Sequence, residues 1–338
     1  MAGPLTVRYA TGADLRAMAA MFAARHRADR ARTPYLDPQL EDPAAALGLV
    51  APLLDSGRAQ VAIAESDGQP AGFLLGEEML FAPTEMASQF VPPHSISMPI
   101  EGHGVAAGHD PVTVYRALYG FLARDWIARG FFIHRCAIAA GDAAMQEAWV
   151  SLGFGRYLTA ATRPTTPVTR PAATGLDIER ASPEDIEVVA ALIESLNLWH
   201  WEPPISWPMV RTAEPAAHAF TLQQLRSGDQ PYFVGYQEGR PAGMQTFLRP
   251  GFTPPIVDRA HDVYLFEGVV SDDARGGGIG TALLRHSMAW ARGAGFETCT
   301  LHFAAPNPSG GPFWLGHGFI PVEHTMERRI DERVAWAR

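Results

Sequence analysis

The sequence predicts an α/β protein, an α+β arrangement with a mixed sheet, built as two tandem copies of one unit. Three observations carry this: a strand, glycine loop and helix near residue 270, a set of matching segments at a nearly constant offset, and a Pro/Thr/Ala stretch between the halves. At 338 residues the chain is too long for one ordinary domain and fits two.

The copies match from their first turns. Val7-Arg8-Tyr9-Ala10-Thr11-Gly12-Ala13-Asp14-Leu15 corresponds to Ile178-Glu179-Arg180-Ala181-Ser182-Pro183-Glu184-Asp185-Ile186, an offset of 171 residues. In both, Thr or Ser stands three residues before Asp, a variant capping box that opens a helix. The apolar faces that follow are Leu15, Met18 and Phe22 in one copy and Ile186, Val189 and Ile193 in the other. Gln69-Pro70-Ala71-Gly72 then matches Arg240-Pro241-Ala242-Gly243 at the same offset, each after a hairpin turn, Asp67-Gly68 or Glu238-Gly239. Later the offset becomes 166 for Glu101-Gly102 against Glu267-Gly268, and 165 for Trp149, Gly153 and Phe154 against Trp314, Gly318 and Phe319. Pro164 to Gly175 (PTTPVTRPAATG) suits neither helix nor strand. The expected division is therefore 1–163, a linker at 164–175, and 176–338.

Composition removes several function classes. The chain is 47% hydrophobic and 19% charged, enough to bury sizeable cores. Its net charge of −9, with no cluster of Lys and Arg, argues against a nucleic-acid partner. Cys136 and Cys299 sit in apolar, strand-like runs and read as small core residues in a reducing compartment. There is no signal-peptide pattern and no apolar run near the ~18 residues that span a bilayer, so a cytoplasmic location without membrane contact is expected. His94, His103 and His109 lie on loop-like sequence without companion Cys or carboxylate spacing; they read as surface or packing residues, and no metal is expected.

The chemistry concentrates in the second copy. Val263 to Val270 reads as a strand, followed by a polar turn at Asp272 and Asp273, the loop Arg275-Gly276-Gly277-Gly278-Ile279-Gly280, and an apolar-periodic helix from Ile279 through Thr281 to Arg292. Glycines let the main chain approach a bulky anion, and the free N–H groups of the helix start point at it. A Walker loop needs a Lys, which this loop lacks. A dinucleotide fingerprint needs a third glycine where Thr281 stands. What remains is Arg275, Gly278 and Gly280 in the pattern [RQ]-x-x-G-x-G, which resembles the acetyl-CoA pyrophosphate loop of the GNAT acyltransferase superfamily. Downstream, Asn307 to Phe319 (NPSGGPFWLGHGF) is similar to the GNAT pattern N-x-x-A-x-x-[LF]-Y-x-x-x-G-F, with Gly310 in place of Ala and Trp314 in place of Tyr.

That resemblance implies two tandem GNAT-like domains, the second able to move an acetyl group from acetyl-CoA to an amine of a small-molecule acceptor. It implies that the backbone at Val269 and Val270 holds the pantetheine arm, that Arg275, Gly276, Gly277, Gly278, Ile279, Gly280 and Thr281 cradle the pyrophosphate, and that Asn307 and Trp314 line the same arm. In the first copy the loop position reads Ala106-Ala107-Gly108-His109-Asp110-Pro111-Val112, without the phosphate pattern, while the helix face Val114, Leu118, Leu122, Trp126 survives.

Acyl transfer also requires that the amine lose a proton. Glu267 stands two residues before Val269 on a strand of period two, so it shares that face and is either the general base or a structural carboxylate. Tyr264 and His302 are further candidates for handling the proton. Leu198 to Trp207 (LWHWEPPISW) forms either an aromatic wall for the acceptor or a seal between the copies. Glu202, Asp262 and Glu267 are expected near the mouth, where they would suit a small amine. Because Trp314 cannot act as the acid that Tyr could, a non-catalytic acyl-CoA-binding or sensor protein is the alternative. Oligomeric state and acceptor identity have no sequence signal.

Overall fold

The chain is described as a computed structural model covering residues 4–55, 57–249 and 251–337. In chain order, the first half contains β1 (Thr6–Tyr9), α1 (Leu15–Arg30), α2 (Pro43–Asp55), β2 (Ala59–Ser66), β3 (Gln69–Met79), β4 (Ser95–Met98), β5 (His103–Val105), α3 (Pro111–Ala128), β6 (Ile133–Ala139), α4 (Ala143–Ser151) and β7 (Gly155–Pro164). The second contains β8 (Leu176–Arg180), α5 (Ile186–Trp201), α6 (Glu214–Ser227), β9 (Tyr232–Gln237), β10 (Arg240–Leu248), β11 (Asp262–Val270), α7 (Ile279–Gly293), β12 (Thr298–Ala304), α8 (Gly310–Gly316) and β13 (Ile320–Arg329).

Local signals fixed the starts of the elements. Asp14 accepts from the backbone N–H of Thr11 at 2.7 Å and Asp185 from that of Ser182 at 2.8 Å, so both variant capping boxes form. Such caps stabilise a helix start by roughly 0.5–2 kcal/mol. The Asp67-Gly68 and Glu238-Gly239 turns take positive φ at both residues and join β2 to β3 and β9 to β10.

The thirteen strands of the described residues belong to one sheet, with the order β1-β2-β3-β4-β6-β13-β7-β12-β11-β10-β9-β8 and β5 on the side of β3. Within each half the pairing is antiparallel except β4 with β6 and β11 with β12. The halves exchange their last strands. β13 pairs with β6 of the first half, and β7 pairs with β12 of the second, while β7 and β13 lie side by side at the junction. Equivalent strands, 165 residues apart, thus occupy each other's places.

The exchange knits the cores together. One apolar cluster joins Met18, Phe22 and Ile63 of the first half to Ile256, Val257 and Val322 of the second. Cys136 and Cys299 are buried, unpaired core residues of β6 and β12. The segment after β7 forms neither helix nor strand, as its composition demands, yet it is strapped along α7. Arg292 donates to Thr165 O at 3.0 Å, Arg285 to Val168 O and Arg170 O at 3.3 and 2.6 Å, and Ala173 N–H to Gly278 O at 3.1 Å.

Candidate active site

β11 and β12 run parallel and pair only from Asp262 with Thr298 to Tyr264 with Thr300. Beyond that point a register shift on the β10 side, between Thr246 and Phe247, bulges β11 at Phe266, and the two strands part. Leu265 to Val270 and Leu301 to Ala304 become the walls of a wedge, and their wedge-side backbone groups have no strand partner among the described residues. An extended ligand can bond such an open edge through main-chain groups. The wedge opens into a cavity of about 1100 Å³ that both halves line.

One end of the cavity is the glycine loop. Gly276 and Gly278 are left-handed, with φ of 82° and 83°, and Gly278 is the N-cap of α7 with no side chain to satisfy the first amides. A Cβ on Gly278 would also lie 2.8 Å from the backbone nitrogen of Ala173, so the strap sits against the loop. Arg275 is folded back: it donates to Val270 O at 3.1 Å, pairs with Asp272 at 2.7 Å, and lies 4.0 Å over the Trp199 ring. Thr281 Oγ1 sits 3.0 Å from Nε2 of His317, whose Nδ1 lies 2.7 Å from Phe313 O. Asn307 Oδ1 accepts from Ser309 N–H and Gly310 N–H at 3.0 and 2.8 Å, which ties down the start of α8. Gly310 in place of Ala has a steric reason, since a Cβ there would lie 2.8 Å from Asn307 Nδ2. Trp314 is buried with its ring beneath Gly268, where an added Cβ would come within 3.1 Å.

Beside the wedge, Glu267 lines the cavity and receives one hydrogen bond, from Thr246 Oγ1 at 3.3 Å. Burial, opposed only by that bond, pushes its pKa up to about 7. Tyr264 and His302 form a pair, hydroxyl to Nδ1 at 2.8 Å, on the cavity wall. Burial keeps His302 neutral, with its pKa lowered to about 4, and raises that of Tyr264.

Residues 193–319 match the acetyltransferase (GNAT) family model. This segment is a GNAT domain. The whole chain shares its fold with a GCN5-related N-acetyltransferase from Sphaerobacter thermophilus, at 16% identity and a TM-score of 0.60, over 97% of this chain and 96% of that one. It also resembles the GCN5-related glucosamine N-acetyltransferase region of a fungal multi-domain GH3 β-N-acetylglucosaminidase, at 12% identity and a TM-score of 0.57, over 96% of this chain and 38% of that one. No curated protein matches the sequence.

Two expectations about the GNAT domain are corrected. Asp262 is not at the mouth: it is buried at the other end of β11, where Thr253, Thr298 and Thr300 donate to it at 2.7–2.9 Å. Glu202 is exposed and does not line the cavity. The aromatic segment divides its work. Trp199 faces the loop through Arg275, Trp201 is exposed, and Trp207 both lines the cavity and joins the halves, stacking on Tyr157 at 5.1 Å and donating to Gln89 O at 2.8 Å.

In the first half, the corresponding site is closed. His103, which stands where Val269 stands in the GNAT domain, is fully buried and bonds Tyr115 OH and Ala137 O at 2.9 and 2.8 Å, so it spans to β6. His94 takes a left-handed φ and packs on the ring of Phe131. Asp110 caps α3 by accepting from Thr113 N–H at 3.0 Å. Sequence reasoning noticed Glu101 as the counterpart of Glu267 but gave it no role, and it missed Glu323; both line the cavity.

Proposed function

We infer that the protein is an acyl-CoA-dependent N-acyltransferase acting on an amine of a small molecule, with acetyl-CoA as donor. The observation that carries this reading is the convergence, in one cavity, of an open strand wedge, an uncapped glycine-loop helix start and a carboxylate with pKa near 7. The residues fit the donor. The backbone of Val269 and Val270 stands at the unpaired edge, the amides from Gly276 to Thr281 sit at the positive end of α7, and Arg275 is within reach of both. Asn307 and Trp314 shape the wedge floor, and Trp314 supplies packing rather than a proton.

The donor supplies a thioester-activated acyl carbon. Glu267 takes one proton from the ammonium, the freed nitrogen bonds the acyl carbon, and the C–S bond breaks with sulfur leaving as thiolate. The second proton lost by nitrogen ends on the sulfur. A base with pKa near 7 suits this role, because about half of it is ionised at neutral pH and it is basic enough to accept the proton. Thiolate leaves without a dedicated acid, since a thiol pKa near 8.5 makes it a fair leaving group. Only residues 176–338 carry these groups, and we divide the chain into a first domain at 1–163, a connecting segment at 164–175 and this acyl-CoA domain. A panel of amines with acetyl-CoA tests the reading: free CoA thiol should appear with a product heavier by one acetyl group. Tight acyl-CoA binding without product from any amine would favour the sensor reading.

A further inference from the structure

The cavity does not end at Glu267. It continues across the junction to Glu101, the matching residue of the first half, and to Glu323 on the exchanged strand β13. Glu323 is 7% exposed and its carboxylate has no hydrogen bond or ion pair among the described residues. Oε2 of Glu101 is buried and also without a partner. Two arginines act on them from a distance without a hydrogen bond to either carboxylate among the described residues: Arg259, which also lines the cavity, donates through Nε to Thr253 O at 2.7 Å, and Arg25 donates to His103 O and Ile100 O at 2.6 and 2.5 Å. Two carboxylates lining one cavity, Glu323 buried without a hydrogen bond and Glu101 with one buried oxygen unpartnered, form an expensive arrangement unless something cationic completes it.

We propose that Glu101 and Glu323 form a second acceptor subsite, which seats a distal ammonium while the reacting amine of the same molecule lies at Glu267. The acceptor class is therefore a small molecule with two or more ammonium groups. This deepens the acyltransferase reading and rests on it. Strand exchange explains the geometry. In the first half β13 places Glu323 opposite Ala139 of β6, whereas the equivalent position of β7, Leu158, stands opposite Ala304 of β12. The GNAT domain thus keeps an apolar residue near its wedge, and the closed half gains a charge. Burial raises the pKa of both carboxyls, that of Glu323 to about 8 with help from the charge of Glu101, while Arg259 and Arg25 oppose both shifts. An entering ammonium would favour both ionised forms.

The test compares n-alkylamines with α,ω-diamines of matched length, using CoA-thiol release for kcat/KM and calorimetry for binding without donor. The expected result is a preference of about 10- to 100-fold for diamines of one span, the worth of a desolvated charge-assisted hydrogen bond. In Glu323→Gln and Glu101→Gln, which keep shape and remove buried charge, that ratio should collapse toward one. Equal use of monoamines and diamines, or a preference both variants retain, would overturn the subsite while leaving the acyltransferase reading intact. Diamine binding that depends on Glu101 and Glu323 without any transfer would keep the subsite and overturn the acyltransferase reading.

Discussion

Asp110 accepts from the backbone N–H of Thr113 at 3.0 Å and from its hydroxyl at 2.6 Å, so the first amides of α3 are satisfied by the chain itself. The corresponding helix of the GNAT domain, α7, begins at Gly278 with no such cap. The same helix start is thus closed in one half and open in the other, and a carboxylate at the closed one repels a pyrophosphate.

Acyl-CoA should therefore bind once per chain. Titration calorimetry is expected to give one site, and Arg275→Glu should weaken it by about tenfold or more by placing like charge beside the phosphates. Two equal sites would show that the closed half binds as well.

Gly278 joins the loop to the strap. Its φ of 83° and the 2.8 Å approach of Ala173 nitrogen leave no room for a Cβ. Gly278→Ala should lose about 1–3 kcal/mol of stability in chemical denaturation and loosen acyl-CoA binding. Gly277→Ala, whose Cβ would meet nothing closer than 3.7 Å, is the matched control and should change stability by less than about 0.5 kcal/mol.

Stability should fall as pH rises from about 7 to 8. In the folded state Glu267 and Glu323 have pKa values raised to about 7 and about 8, so they hold protons that the unfolded chain has already released. The folded state binds more protons in that window, and its stability declines with pH. The histidines His134, His200, His302 and His324, lowered to about 4, act with the opposite sign, an effect that fades above pH about 6.5 as the unfolded imidazoles lose their protons. Thermal melts of Glu323→Gln should show a shallower decline than wild type, and an unchanged slope would count against the burial of that carboxyl.

What the sequence disclosed is what short-range physics specifies. Capping boxes, the two hairpin turns and the glycine loop depend on residues within a few positions of one another, and each formed where its residues stand. The exchange of β7 and β13 had no such signal. The two strands are equivalent, fit the same slot and alternate alike, so no local pattern says which copy each will join. Glu323 was therefore missed, since only the exchange brings it to Glu101. Asp262 was misplaced for a related reason: alternation along β11 tells which face a residue takes, but the threonines that enclose it come from two other segments, the loop before β11 and the start of β12. At Glu267 the residue was found and its pKa was not, because the burial that raises it is tertiary.

The most direct test of the central claim is the pH profile of CoA-thiol release by wild type and Glu267→Gln with the best amine acceptor. Wild type should show kcat/KM rising through pH about 7 as Glu267 ionises. The variant should lose roughly 10²–10⁴-fold in kcat, lose that limb, recover part of its rate toward the amine pKa, and bind acyl-CoA as tightly as before. A variant that keeps kcat and the limb near 7, or that loses acyl-CoA binding instead, would contradict the assignment of Glu267 as the base.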